Sequence, residues 1–159
     1  MLELMSAKKP SINFILLDER WTKLVPSWQE DISRALEVTG KTLKKDFSET
    51  EISVVLTDDK EIQRLNKTFR HQDKPTNVLS FPSKEERELG DILLSYETVA
   101  KEAAMREISP LHHTLHLIIH GFLHLLGYDH EEDKTAHHME AIEIHILKDL
   151  NIANPYEDQ

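Results

Sequence analysis

The chain has 159 residues, 39% hydrophobic and 30% charged, with no cysteine; 19 basic residues against 29 acidic ones leave a formal charge of −10. This length suits one domain that buries about 68–70% of its unfolded surface, so neither a metal nor a disulfide is required merely to fold it. Zinc fingers on cysteine, CxxC redox centres and thiol nucleophiles are excluded. A chain with a pI near 5.4 is also a poor general binder of nucleic acid, so any such contact needs a local basic patch.

Residues 11–17 (SINFILL) are apolar and rich in β-formers, which predicts a strand, ended by Asp18-Glu19-Arg20. Pro26 suits the first turn of a helix, and Trp28, Ile32, Ala35, Leu36 and Val38 follow at helical spacing with Gly40 as the stop. Residues 51–56 (EISVVL) read as a second strand, and Thr57-Asp58 cap a helix reaching Phe69 with Ile62 and Leu65 on its inner side. A turn at 73–75 leads to a third strand over 77–81, and a charged loop separates it from a fourth over 89–94, which contains Gly90. Residues 96–106 form a helix, Ser109-Pro110 cap another that runs to Leu126, and Gly127 ends it. The last helix spans 131–150, with Met139, Ile142, Ile146, Leu147 and Leu150 as its apolar stripe. The order β-α-β-α-β-β-α-α-α implies one α+β domain over residues 1–150, a small four-stranded mixed sheet packed on one side by about five helices, with 151–159 as a polar tail.

Residues 1–10 show no apolar stretch behind a basic one. The longest apolar run, 115–126, is interrupted by His116, His120 and His124 and falls short of the roughly 20 residues of a membrane span. A soluble, cytoplasmic protein is expected, with no membrane partner.

Ten histidines are the compositional anomaly. His120 and His124 lie four apart on a predicted helix, so both imidazoles face one side and can grip one cation. Gly127 can turn the chain at the helix end, and His130 then supplies a third nitrogen. Three imidazoles with an open fourth position are the donor set of a catalytic zinc site, although nickel, cobalt or copper also suit it. His116 shares the face, but it lies eight residues before His124, about 12 Å along the axis, too far for all three to hold one ion through bonds of about 2 Å. Among the remaining histidines, His112, His113, His137, His138 and His145 have no comparable spacing and read as surface or capped residues. HxxxHxxGxxH is also the metzincin protease spacing, yet those enzymes need Glu after the first His as general base, and here that position is Gly121. Peptide hydrolysis of that kind is disfavoured, while other metal-assisted chemistry stays open. Asp129, beside His130, and Asp91, on the fourth strand, are candidates to fix an imidazole tautomer.

Charge is segregated along the chain. Residues 60–74 hold Lys60, Arg64, Lys67, Arg70 and Lys74 against Glu61 and Asp73, a net of +3, whereas 131–159 hold eight acids against two lysines, a net of −6. Arg70 stands just before the turn into the third strand, where a guanidinium can engage a phosphate bidentately.

Leu65-Asn66, Phe69-Arg70, Lys74-Pro75-Thr76-Asn77-Val78-Leu79-Ser80-Phe81-Pro82, Leu89-Gly90-Asp91-Ile92 and the motif from His120 to His130 stand in one order. Together they resemble the YbeY family of bacterial metal-dependent endoribonucleases over residues 52–147. The resemblance implies one α+β domain and one zinc ion held by His120, His124 and His130. It implies a role in maturing precursor ribosomal RNA and in ribosome quality control, with the small subunit or ribosome-associated proteins as partners and no DNA substrate. The family's functional arginine falls on Arg70, and Lys74 and Ser80 join Asp91 and Asp129 as further substrate or supporting candidates. Asn77 departs from the family's commoner Asp, so a hydrogen bond but no charge is available there. The metal acts either as a Lewis acid on a phosphoryl oxygen or by lowering the pKa of its water, with Arg70 stabilising the charge of the transition state. Two alternatives stay open on the residues alone: a metallohydrolase of peptides or small molecules, and a non-catalytic ribosome-assembly factor whose zinc is closed by a fourth ligand such as His116.

Overall fold

The computed structural model describes residues 8–129 and 132–157. Four strands, β1 (Ser11–Leu16), β2 (Glu51–Thr57), β3 (Val78–Pro82) and β4 (Glu88–Ser95), form one sheet in the order β1-β2-β4-β3. β1, β2 and β4 run parallel and β3 lies antiparallel at the edge, so the sheet is mixed as expected. Among the described residues six helices accompany it: α1 (Arg20–Leu24), α2 (Trp28–Leu43), α3 (Asp59–Arg70), α4 (Tyr96–Met105), α5 (Pro110–Leu125) and α6 (Asp133–Asp149). Among the described residues no helix is long and apolar enough to cross a membrane.

The helix beyond the expected five is α1. Its turn forms because Trp21 is fully buried and donates its indole N–H to the Thr57 carbonyl at 2.9 Å. Pro26 pushes the preceding Val25 out of helical geometry (ψ 81°), which separates α1 from α2. Gly40 does not stop α2 as its sequence position suggested. It is buried inside the helix, where its missing side chain lets Lys45 and Phe47 fold back to within 3.4–3.5 Å of where a Cβ would sit. The helix instead ends at Lys44, in the left-handed conformation (φ 57°).

The sheet is also covered on more than one side. Val54, Leu56, Ile92 and Leu94 face the main core with α2, α5 and α6. The alternate residues Val55, Leu93 and Leu79 meet Ile62 of α3 on the opposite face. Alternation along each strand feeds both clusters, so helices on both faces were required. The segment read as a polar tail is docked over its described part: Ile152 is buried, and its N–H bonds the Leu147 carbonyl at 2.8 Å.

α5 is the axis of the molecule. Pro110 opens it, Ser109 caps it by accepting the His112 N–H, and residues on almost every side are buried. Its end closes as the sequence suggested. Gly127 (φ 98°) donates to the His124 carbonyl, and Tyr128 donates to that of Leu123, each at 3.0 Å. This paired closure returns the chain over the last turn.

Candidate active site

The four-residue spacing stacks His120 and His124 on one face of α5, their rings edge-on with centroids 4.6 Å apart. His120 Nδ1 meets Glu143 Oε1 at 2.5 Å, and His124 Nδ1 meets the Tyr128 carbonyl at 3.0 Å. Both acceptors require the proton on Nδ1, which leaves both Nε2 atoms as lone-pair donors. Those two Nε2 atoms face each other at 3.1 Å. Two ligands of a tetrahedral zinc are about 3.3 Å apart when each bond is about 2.0–2.1 Å. Two converging lone pairs repel unless a cation lies between them, so this donor set fits a metal ion. His130 lies outside the described residues, and among those described no group of three His, Cys, Asp or Glu is placed to hold one ion.

The residue that orients His120 was not foreseen. Asp91 does not do so: it alternates with Ile92, which faces α5, and therefore points to the other face of β4, into a separate hollow shared with Ser11 and Glu51. Glu143 of α6, fully buried, takes that role. Burial pushes its pKa up, but bonds from His116, His120 and Tyr156 outweigh burial and hold it at about 2. A carboxylate at the 139–143–146 stripe position of an otherwise apolar helix face was the available sequence signal. His116 is not turned towards the metal pair. Its Nε2 lies 3.3 Å from Glu143 Oε2 and 3.1 Å from the Tyr156 hydroxyl.

His113, expected at the surface or capped, is instead buried and pairs with Glu102 at 2.8 Å. Burial lowers its pKa, against the opposing effect of Glu102. Asn77 donates to the same Glu102 oxygen at 2.9 Å, a bond that an ionised Asp could not donate.

His120 and His124 open onto a hollow of about 610 Å³ that Arg70, Asn77, Ser80 and Asp129 also line. Arg70 arrives there on the last turn of α3. Its Nη2 donates to the Ser80 carbonyl at 2.6 Å, and its guanidinium lies 5.3 Å from the centre of the Phe81 ring. Among the described residues no carboxylate pairs with it, whereas Arg64 and Lys67 of the same basic segment are paired with Glu61 and Asp73. The segment is thus largely a solvated helix face, as charge alone would suggest, and among the described residues Arg70 is its basic side chain that lines the hollow. Ser80 pairs with Ile92 in register and faces α5. Lys74 is exposed and enters through its carbonyl, which accepts from Asn66 at 2.9 Å, rather than by lining the hollow.

A family model described as endoribonuclease YbeY matches residues 16–151. The chain belongs to the YbeY family. The matched span carries Arg70, the histidine pair and Glu143, and ends just before the docked C-terminal segment. The chain is 41% identical to the YbeY endoribonuclease of Bradyrhizobium diazoefficiens, over 94% of this chain and 87% of that protein. It is 43% identical to that of Azorhizobium caulinodans, over 91% and 95%. The solution structure of a Thermotoga maritima protein superposes with a TM-score of 0.56 at 31% identity, covering 93% of this chain and 96% of that one. The YbeY assignment and the α+β architecture therefore agree.

Proposed function

We propose that this YbeY-family chain is a zinc-dependent endoribonuclease that cleaves single-stranded regions of precursor ribosomal RNA in the cytoplasm. The observation that carries this reading is the hollow in which two converging imidazoles face an arginine that has no carboxylate partner among the described residues. His120, His124 and His130 would hold one zinc ion, which supplies Lewis-acid activation of a phosphodiester. Arg70, tethered through Ser80 and Phe81, binds a phosphoryl oxygen and stabilises the charge that grows on it. Its tether uses one face of the guanidinium fork and leaves other N–H groups for the ligand. Asn77 and Ser80 add polar lining beside it. Gly121 supports no general base on this helix. A Cβ there would already lie 3.2 Å from Ile92 Cγ2, because α5 packs directly on β4. A protein of charge −10 whose hollow is lined by one basic side chain, Arg70, among the described residues does not hold long RNA by charge. We infer that a ribosomal small-subunit or ribosome-associated protein presents the substrate, which suits a role in rRNA maturation and quality control.

The test is RNA cleavage by wild type, His124→Ala and Arg70→Ala, with zinc measured on the same samples. Wild type is expected to carry about one zinc per chain and to cut RNA, and His124→Ala to do neither. Arg70→Ala should keep its zinc and lose about 10²–10³ in rate. Equal cleavage by all three would assign the activity to a contaminant, and loss of zinc from Arg70→Ala would overturn the role given to that side chain.

A further inference from the structure

We propose that Tyr156, in the segment after α6, is a positioning residue for the metal ligand His120 and acts through Glu143. The inference rests on the metal reading above and extends the site beyond the three histidines. Glu143 is fully buried, and three groups converge on its carboxylate: His120 Nδ1 on Oε1, and His116 Nε2 and the Tyr156 hydroxyl on Oε2. The His116 contact is long at 3.3 Å, so the Tyr156 O–H, in short contact, is the donor that fixes Oε2. A carboxylate is planar, so fixing Oε2 also fixes the direction from which Oε1 receives the imidazole. That imidazole's opposite nitrogen faces His124 at 3.1 Å.

Tyr156 is itself held from four sides. Ile152 is buried under α6, and the Asn154 side chain accepts the Tyr156 N–H at 2.8 Å. Arg106 Nη2 donates to the Pro155 carbonyl at 2.9 Å, and the His116 ring meets the tyrosine ring edge-on at 5.5 Å. The segment thus forms a clasp whose one polar tip enters the core at the carboxylate behind the metal ligand. Partners of this kind commonly change metal affinity 10–100-fold. Tyr156 stands one bond further out, so the lower figure applies.

The experiment compares zinc affinity, by competition with a chelator, in wild type, Tyr156→Phe and Arg106→Ala, alongside far-UV circular dichroism and thermal melting of each protein without metal. Phe removes only the hydroxyl. Arg106 is exposed, so its loss loosens the clasp without threatening the fold. Tyr156→Phe is expected to bind zinc about 10-fold more weakly with an unchanged folded spectrum, and Arg106→Ala about 2–3-fold more weakly, since it breaks one solvent-exposed hydrogen bond to the clasp and leaves the tyrosine hydroxyl in place. If Tyr156→Phe melts lower but the folded protein binds zinc as wild type does, the tyrosine is structural and the proposal fails. If Tyr156→Phe does not fold, unchanged affinity in Arg106→Ala overturns it. A wild type that binds no zinc overturns the metal reading itself, a result distinct from equal binding by wild type and variants.

Discussion

Gly90 tests the packing logic of this fold most sharply. It adopts φ +136°, and a Cβ built there would lie 2.2 Å from the Phe81 carbonyl oxygen, 2.9 Å from Pro82 Cα and 3.0 Å from Leu125 Cδ2. The first two are backbone atoms of β3, so no side-chain rotation relieves them. Gly127 provides the matched control. It too has positive φ, +98°, but nothing lies within 4 Å of its Cβ position. Gly127→Ala should therefore cost only the backbone strain, about 1–2 kcal/mol. Gly90→Ala adds an overpacking cost of about 1–3 kcal/mol or more, for about 4 kcal/mol in total. In a chain of this length each kcal/mol moves Tm by about 2–4 °C, so Gly90→Ala should melt about 8–16 °C below wild type and Gly127→Ala about 2–8 °C below. The assay is thermal melting of both variants without metal, read by circular dichroism. The loss at Gly90 opens the β3–β4 pairing at Pro82 and Gly90, which holds the strand whose Ser80 carbonyl tethers Arg70. Melting of Gly90→Ala within about 2 °C of Gly127→Ala would show that β3 shifts freely, and would refute the view that this strand rigidly positions the arginine.

Glu143 should make the metal-free protein acid-sensitive. Its folded pKa of about 2 lies below its ordinary 4.5, so the unfolded chain binds the proton first and stability falls as pH drops from about 4.5 towards 2. The loss is roughly 3 kcal/mol in total. Urea unfolding at stepped pH should show this slope in wild type and a flatter one in Glu143→Gln; equal slopes would contradict the assigned cause. Asp58 caps α3 by accepting the Glu61 N–H at 2.9 Å. Asp58→Ala should cost about 1 kcal/mol, and a Tm unchanged within error would remove that cap from the account of how α3 presents Arg70.

Much of the molecule is legible in the chain because the relevant signals are local. Short apolar runs mark β2 and β4, a 3.6-residue stripe marks α6, and Ser109-Pro110 and Gly127 bracket α5. The four-residue spacing of His120 and His124 carries their shared face by itself, since helix geometry alone sets it. His130 has the appropriate spacing but lies outside the described residues. Arg70 was singled out by its place before a turn, yet only the paired state of its neighbours separates it from Arg64 and Lys67.

Tertiary contact decided the rest. Glu143 lies 23 residues from His120, and Tyr156 lies 40 from His116, so no periodicity links them. Asp91 was a reasonable carboxylate on a reasonable strand, but the one-residue alternation of β4 sends it to the wrong face. α1 exists because Trp21 found a buried acceptor on β2, and Gly40 stayed helical because another segment needed the space beside it. The sequence alone determines the four strands, the other five described helices and the histidine pair, since those depend on neighbours along the chain. The groups that hold that pair in position are chosen by burial, where a carboxylate persists only among donors brought to it from distant segments.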